Sequence, residues 1–143
     1  MTNESTPLEY DLFIKGTPTS ACRPRVTVKG TFYNKNYTAW RKEANKQVEE
    51  YIKSLDEFYT ISGPVKVGML IVMQRPKKAS KPYPRGDVDN YAKGPLDVLT
   101  KSSFWLDDAQ VINLQVEKVY SIDSEQVGVY IHVEETETNE DYI

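Results

Sequence analysis

The sequence predicts a single domain of the α/β (α+β) class, with a mixed β-sheet packed against two main helices. Three observations lead there. The chain has 143 residues, a length that suits one hydrophobic core. Its apolar residues amount to 39%, enough to build that core and too many for a disordered chain. The apolar period also changes along the chain, from two to between three and four and back, so strands and helices alternate.

The elements follow in order. Leu8, Tyr10, Leu12 and Ile14 alternate with more polar neighbours, which predicts a strand over 8–16 ended by Gly16. "RPRVTVKGTFYN" predicts a hairpin turning near Lys29-Gly30. Trp40, Ala44, Val48, Tyr51, Ile52 and Leu55 recur at helical spacing, so 38–55 is an amphipathic helix with Trp40 in its core face. "SGP" at 62–64 breaks the chain, and "VKVGMLIVM" (65–73) is a strand. Its second half is apolar on both faces, which predicts an interior position in the sheet. A loop rich in proline and lysine spans 75–86. A second helix follows, with Asp89 as its N-cap and Val98 and Leu99 as apolar anchors. Two strands, 111–121 and 126–133, complete about six. The folded domain therefore spans 1–134, and 135–143 is an acidic tail expected to be disordered.

Composition excludes several chemistries. One histidine (His132) and one cysteine (Cys22) leave little for a histidine-based zinc site, a Ser-His-Asp triad or an internal disulfide. The lone cysteine suggests a reducing, cytoplasmic setting. No apolar run approaches the ~20 residues of a membrane span, and the polar start "MTNESTPLEY" does not resemble a signal peptide. Net charge is −3, but it is unevenly spread. Residues 21–46 hold seven bases and one acid, 75–85 hold five bases and no acid, and the last 27 residues hold eight acids and one base, Lys118. Two basic segments in an acidic chain point to a polyanionic partner.

Residues 85–111 hold five aspartates, as D-x-D, a single Asp97 and D-D. Either they stand apart on a solvated surface or a cation gathers them. Asp87 and Asp89, if extended after Gly86, project to one side. Asn90, Lys93 and Asp97 share a helical face, so Lys93 could reach the same place. Gly94-Pro95 is awkward, because proline inside a helix costs about 3 kcal/mol; either the helix is irregular there or it starts at 95. "TKSSFWL" should return the chain toward the start of the helix, where one of Asp107 and Asp108 would join the pair, with Trp105 buttressing the turn. Ionised carboxylates so close together would raise one another's pKa unless a divalent cation compensates. All-oxygen ligands favour Mg²⁺, with Mn²⁺ as a substitute. A basic loop just before the aspartates suggests a phosphate-bearing substrate and metal-assisted phosphodiester hydrolysis.

"GDVDNYAKGPLDVLTKSSFWLDDAQV" resembles the signature of the RusA family of Holliday junction resolvases, D-x-D-N-x-x-K-x-x-x-D-x-L followed by D-D-x-Q-V. "IKGTPTSACRPRVTVKGTFYN" resembles the start of that family. The resemblance implies a Mg²⁺-dependent endodeoxyribonuclease that acts as a homodimer and nicks opposed strands of a four-way DNA junction, in DNA recombination and repair. By position it implies that Asp87, Asp89 and Asp108 bind metal, that Lys93 is the essential basic residue, and that Asp107 has a lesser role beside the site. The Gly94-Pro95 pair departs from the family, whose proline more often follows the lysine directly. Within this reading Lys93 either stabilises developing charge or orients water, and Asn90 is placed to hydrogen-bond a ligand carboxylate. Arg23, Arg25, Lys77, Lys78, Lys81 and Arg85 are candidates for backbone phosphate contacts. Tyr83 either packs its loop or stacks on an exposed base. A different Mg²⁺ nuclease acting on other branched or linear DNA, or a non-catalytic DNA-binding module, would carry many of the same residues.

Overall fold

The computed structural model describes residues 6–21, 25–32, 34–121 and 123–138. Strand β1 (Glu9–Lys15) alternates exposed and buried residues along its whole length, the mark of a strand with one face on a core. It pairs antiparallel with β6 (Gly128–Glu135). β6 pairs antiparallel with β4 (Val65–Gln74), which pairs in parallel with β5 (Val111–Ser121). The four-stranded order is β1-β6-β4-β5. This is the mixed sheet expected from the sequence, with the apolar strand at 65 in its interior. The short strands β2 (Arg25–Thr27) and β3 (Gly30–Phe32) form a separate hairpin.

Helices α1 (Lys35–Ser54) and α2 (Val88–Lys101) supply the other layer. α1 begins one turn before the expected residue 38 because the Asn34 side chain caps it, Oδ1 accepting from Asn36 N at 2.7 Å. Tyr37, Trp40, Ala44 and Val48 form its buried face. α2 is the crossover between the parallel strands β4 and β5, and it buries Ala92, Gly94, Pro95, Val98 and Leu99. The helix continues through Pro95, so the Gly-Pro pair does not end it. A Cβ on Gly94 would stand 2.8 Å from the Trp40 ring and 3.1 Å from the Tyr37 ring. Glycine therefore sets how closely α1 and α2 approach.

The core lies between this helical layer and one sheet face. Trp105, Phe104, Ile61, Leu99 and Val67 are at most 1% exposed. On the other face, alternation places Glu9, Asp11, Phe13, Tyr130, His132 and Glu134, all fully or partly exposed. β6 extends two residues beyond the expected 133, and Thr136 N donates to Pro64 O at 2.9 Å, so the first two residues of the expected tail are tied to the fold. Residues 139–143 of that tail lie outside the described residues. No helix among the described residues is long and apolar enough to cross a membrane.

Candidate active site

The aspartate-rich segment folds around α2. At its N-terminal end the connection from β4 is held by Lys118 of β5. The Lys118 ammonium donates to Pro84 O at 2.6 Å and Gly86 O at 2.5 Å. Gly86 has φ +89°, and a Cβ there would lie 2.9 Å from the Tyr91 ring; a left-handed backbone under an aromatic ring requires glycine. Asp87 follows in extended conformation and is the N-cap, correcting the expectation that Asp89 caps the helix. Its carboxylate makes no capping hydrogen bond. Asp89 is the second residue of the helix. Both side chains are exposed and neither forms an ion pair with a described residue. They stand at the positive end of the helix dipole. Asn90 is half-buried and makes its contact through the backbone, its carbonyl accepting from Ala21 N at 2.9 Å. Lys93, one turn further on, is exposed.

The other end of α2 holds a second group. Asp107 caps a single 3-10 turn (Asp108–Gln110) in a capping box: its side chain accepts from Ala109 N at 3.0 Å, and Gln110 Oε1 accepts from Asp107 N at 2.9 Å. Gln110 also donates to Ile61 O and Gly63 O, both at 2.9 Å. This turn separates the D-D pair from β5, so the two carboxylates differ by their place in a cap rather than by strand alternation. Asp107 is engaged in structure. Asp108 meets the Thr100 hydroxyl, which accepts from the buried Trp105 Nε1 at 2.7 Å; Trp105 thus buttresses the turn as expected. Asp97, one helical turn before Thr100, has its carboxyl pKa raised, first by burial and then by the charge of Asp108, with Arg41 of α1 and Lys93 opposing.

These positions correct the expected return of the chain. Asp108 joins the last turn of α2, not the first. From Asp89 to Thr100 the helix rises about 16 Å, so Asp87 and Asp89 stand at one end and Asp108 at the other. Among the described residues, Glu9, His132 and Glu134 are the acidic or imidazole groups whose ligand atoms all lie within 4.8 Å of one another. They belong to the opposite sheet face. There His132 Nδ1 lies 2.6 Å from Asp11 Oδ1 and its Nε2 lies 3.3 Å from Glu9 Oε1. The sequence placed His132 at the surface but gave no sign of these partners.

The basic loop is as open as its composition suggests: Lys77, Lys78, Lys81 and Arg85 are all exposed. Tyr83 is 51% exposed. The Lys81 and Lys118 ammonium groups each lie 5.7 Å from its ring centre. Arg23 lies outside the described residues, as does the side chain of Arg25. Sequence reasoning missed Lys118, Thr100 and Arg41. Lys118 had a signal, as the single base in an acidic C-terminal region. Thr100 had one too, three residues after Asp97 and so on the same helical face.

The family described as Endodeoxyribonuclease RusA matches residues 15–134. A 35-residue stretch is 54% identical to the Crossover junction endodeoxyribonuclease RusA of Escherichia coli (strain K12) and to its counterpart in Enterobacteria phage 82. That stretch takes 24% of this chain and 29% of those relatives, so the alignment spans less than a third of their length. The chain is also similar to the Uncharacterized protein YqaN of Bacillus subtilis (strain 168), at 28% identity over 122 residues, covering 76% of this chain and 85% of that one.

Proposed function

Because the chain belongs to the RusA endodeoxyribonuclease family, we propose that it is a Mg²⁺-dependent, homodimeric endodeoxyribonuclease. Its substrate is branched DNA, and it resolves four-way junctions by paired nicks in recombination and repair. The observation that carries this reading is that the matched region contains an exposed carboxylate pair, Asp87 and Asp89: the Asp87 side chain makes no capping hydrogen bond, and neither carboxylate forms an ion pair among the described residues.

The donor chemistry suits a hard divalent cation. All the candidate ligands are carboxylate oxygens. Asp87, Asp89 and Asp108 are the residues that would hold Mg²⁺, and Mn²⁺ should substitute. The bound ion would supply charge neutralisation at the scissile phosphate and a water of lowered pKa.

The rest is done by the chain. Lys93 stands between Asp89 and Asp97 on one helical face and offers positive charge where a phosphorane becomes more anionic. Lys118 fixes the backbone just before Asp87, and Thr100 orients Asp108. Asp107 secures the turn and does not bind metal; Asn90 steadies the start of α2 through its carbonyl. Lys77, Lys78, Lys81 and Arg85, with Arg23 and Arg25, contact backbone phosphates and position DNA without reading its bases.

The test is substitution. Asp87→Asn, Asp89→Asn and Asp108→Asn should each abolish cleavage of a synthetic four-way junction while binding persists or tightens, because less negative charge then faces the phosphates. Asp107→Asn should lower thermal stability more than it lowers turnover. Near-normal turnover in any two of the first three variants would refute the ligand assignment.

A further inference from the structure

On the sheet face turned away from the helices, β1 and β6 bring an imidazole and three carboxylates together. Their antiparallel register sets Glu9 opposite Glu134 and Asp11 opposite His132. Like charges directly across a ladder repel, so the Glu9–Glu134 pair calls for a cation. Lys66 of β4 answers only in part. It stands opposite Glu134 on the other side and lies 3.8 Å from Glu134 Oε1. The second oxygen, Glu134 Oε2, faces the His132 ring, 3.5 Å from Nε2. Glu9 Oε1 approaches the same nitrogen at 3.3 Å.

The two nitrogens of this ring have different surroundings. Nδ1 lies 2.6 Å from Asp11 Oδ1, as close as a charge-assisted hydrogen bond allows. An ionised carboxylate can only accept, so the Nδ1 proton points at Asp11. In the neutral imidazole the lone pair then falls on Nε2. The two oxygens facing Nε2 are too far for a charge-assisted hydrogen bond of about 2.7–2.9 Å. Their distances match a different geometry. With bonds of about 2.1 Å, the edge of a zinc tetrahedron is about 3.4 Å. The three ligand atoms all lie within 4.8 Å of one another. The Glu9 side chain is 54% exposed, so it can rotate to close the remaining gap. A histidine held through one nitrogen by a carboxylate, with the other nitrogen turned to further ligands, has the orientation that metal-bound histidines take.

We propose that Glu9, His132 and Glu134 form a metal site for Zn²⁺, with water as the fourth ligand and Asp11 positioning the imidazole. Imidazole nitrogen favours Zn²⁺ over Mg²⁺, which separates this site from the all-carboxylate set around α2. The two also lie on opposite faces of the sheet, and the zinc site does not rest on the nuclease reading. Its work is structural. β1 is an edge strand whose first residue is Glu9. The ion ties that residue to β6 and turns the repulsion of two opposed glutamates into two bonds.

Zinc titration tests this. Wild type and an Asp87→Asn/Asp89→Asn variant, both stripped with EDTA and desalted, are titrated with zinc chloride in calorimetry and melted with and without it. Each should take up one tightly held Zn²⁺ per chain and melt at a higher temperature with zinc, since an ion bound only by the folded state stabilises it. A large excess of Mg²⁺ should not displace that ion. His132→Gln and Glu9→Gln alter exposed or half-exposed side chains and should keep the far-ultraviolet circular dichroism of the fold. Both should lose the tight binding and the rise in melting temperature. Asp11→Ala should keep the site but weaken it about 10–100-fold. Zinc uptake by His132→Gln equal to that of wild type would overturn the proposal. So would loss of uptake in Asp87→Asn/Asp89→Asn, which would place the ion at α2. No tight uptake by wild type would also overturn it and leave a protonated His132 as the cation that holds the carboxylates together.

Discussion

Replacing Thr100 with valine changes one hydroxyl into a methyl of nearly the same size. In the structure that hydroxyl accepts from Trp105 Nε1 at 2.7 Å, lies 2.9 Å from Leu96 O, and meets Asp108 Oδ1. Trp105 is 1% exposed, so its indole N–H has no water to turn to once the hydroxyl is gone. An orphaned buried donor costs about 1–3 kcal/mol. The added methyl returns part of this, leaving a net loss of about 1–2 kcal/mol. For a domain of this size that lowers the melting temperature by about 3–8 °C, measured by calorimetry. The loss should be non-additive with Trp105→Phe, which removes the donor itself, so the double variant should lose less than the sum of the singles. Asp108 also loses its orienting partner, and single-turnover cleavage of a four-way junction should fall by about 10–100-fold. An unchanged melting temperature, or strict additivity in the double variant, would show that the Trp105–Thr100–Asp108 chain does not hold the turn.

Gly94→Ala places a Cβ 2.8 Å from the Trp40 ring; overpacking of about 1–3 kcal/mol against a helix-propensity gain of about 1 kcal/mol predicts a net loss in urea unfolding, and a gain in stability would contradict the close α1–α2 contact. Removing Lys77, Lys78 and Lys81 together should lower the slope of log affinity against log salt by about one unit for each phosphate no longer neutralised, and an unaltered slope would mean that the loop does not touch DNA. The His132 pKa is raised above its ordinary 6.5, chiefly by the hydrogen bond to Asp11, with partial burial opposing and Glu134 and Glu9 adding. The stability this brings is complete below the ordinary value and is lost as pH rises through the folded one. His132→Gln should therefore flatten the melting temperature against pH in that window, where wild type declines; parallel profiles would refute the pairing.

Much of the fold was legible because burial follows period. The alternation of Tyr10, Leu12 and Ile14 located a strand with one buried face, and the run at 65–73, apolar on both faces in its second half, located an interior strand. Helix starts were less legible, since polar caps have no period: Asn34 extended α1 backward and Asp87 displaced Asp89 as the cap. The candidate site was legible as a set of residue types and illegible as a geometry. Spacing put Asn90, Lys93 and Asp97 on one helical face, but where the chain returns after Lys101 depends on tertiary contacts. Trp105 sinks into the core, Gln110 reaches Ile61 and Gly63, and Asp108 is drawn to Thr100. Lys118 lies 32 residues from the Gly86 carbonyl it holds, a distance that no local pattern encodes. Gly94-Pro95 looked like a helix break and is instead the point where α1 crosses α2.

Nuclease action on branched DNA can be read out in one cleavage experiment. Purified protein is mixed with a synthetic four-way junction and, separately, with a linear duplex made of the same arm sequences, each in Mg²⁺ and in EDTA. Paired, symmetric nicks in the junction with Mg²⁺, an intact duplex, and no cutting in EDTA are expected. An intact junction in Mg²⁺, or equal cutting of junction and duplex, would contradict it.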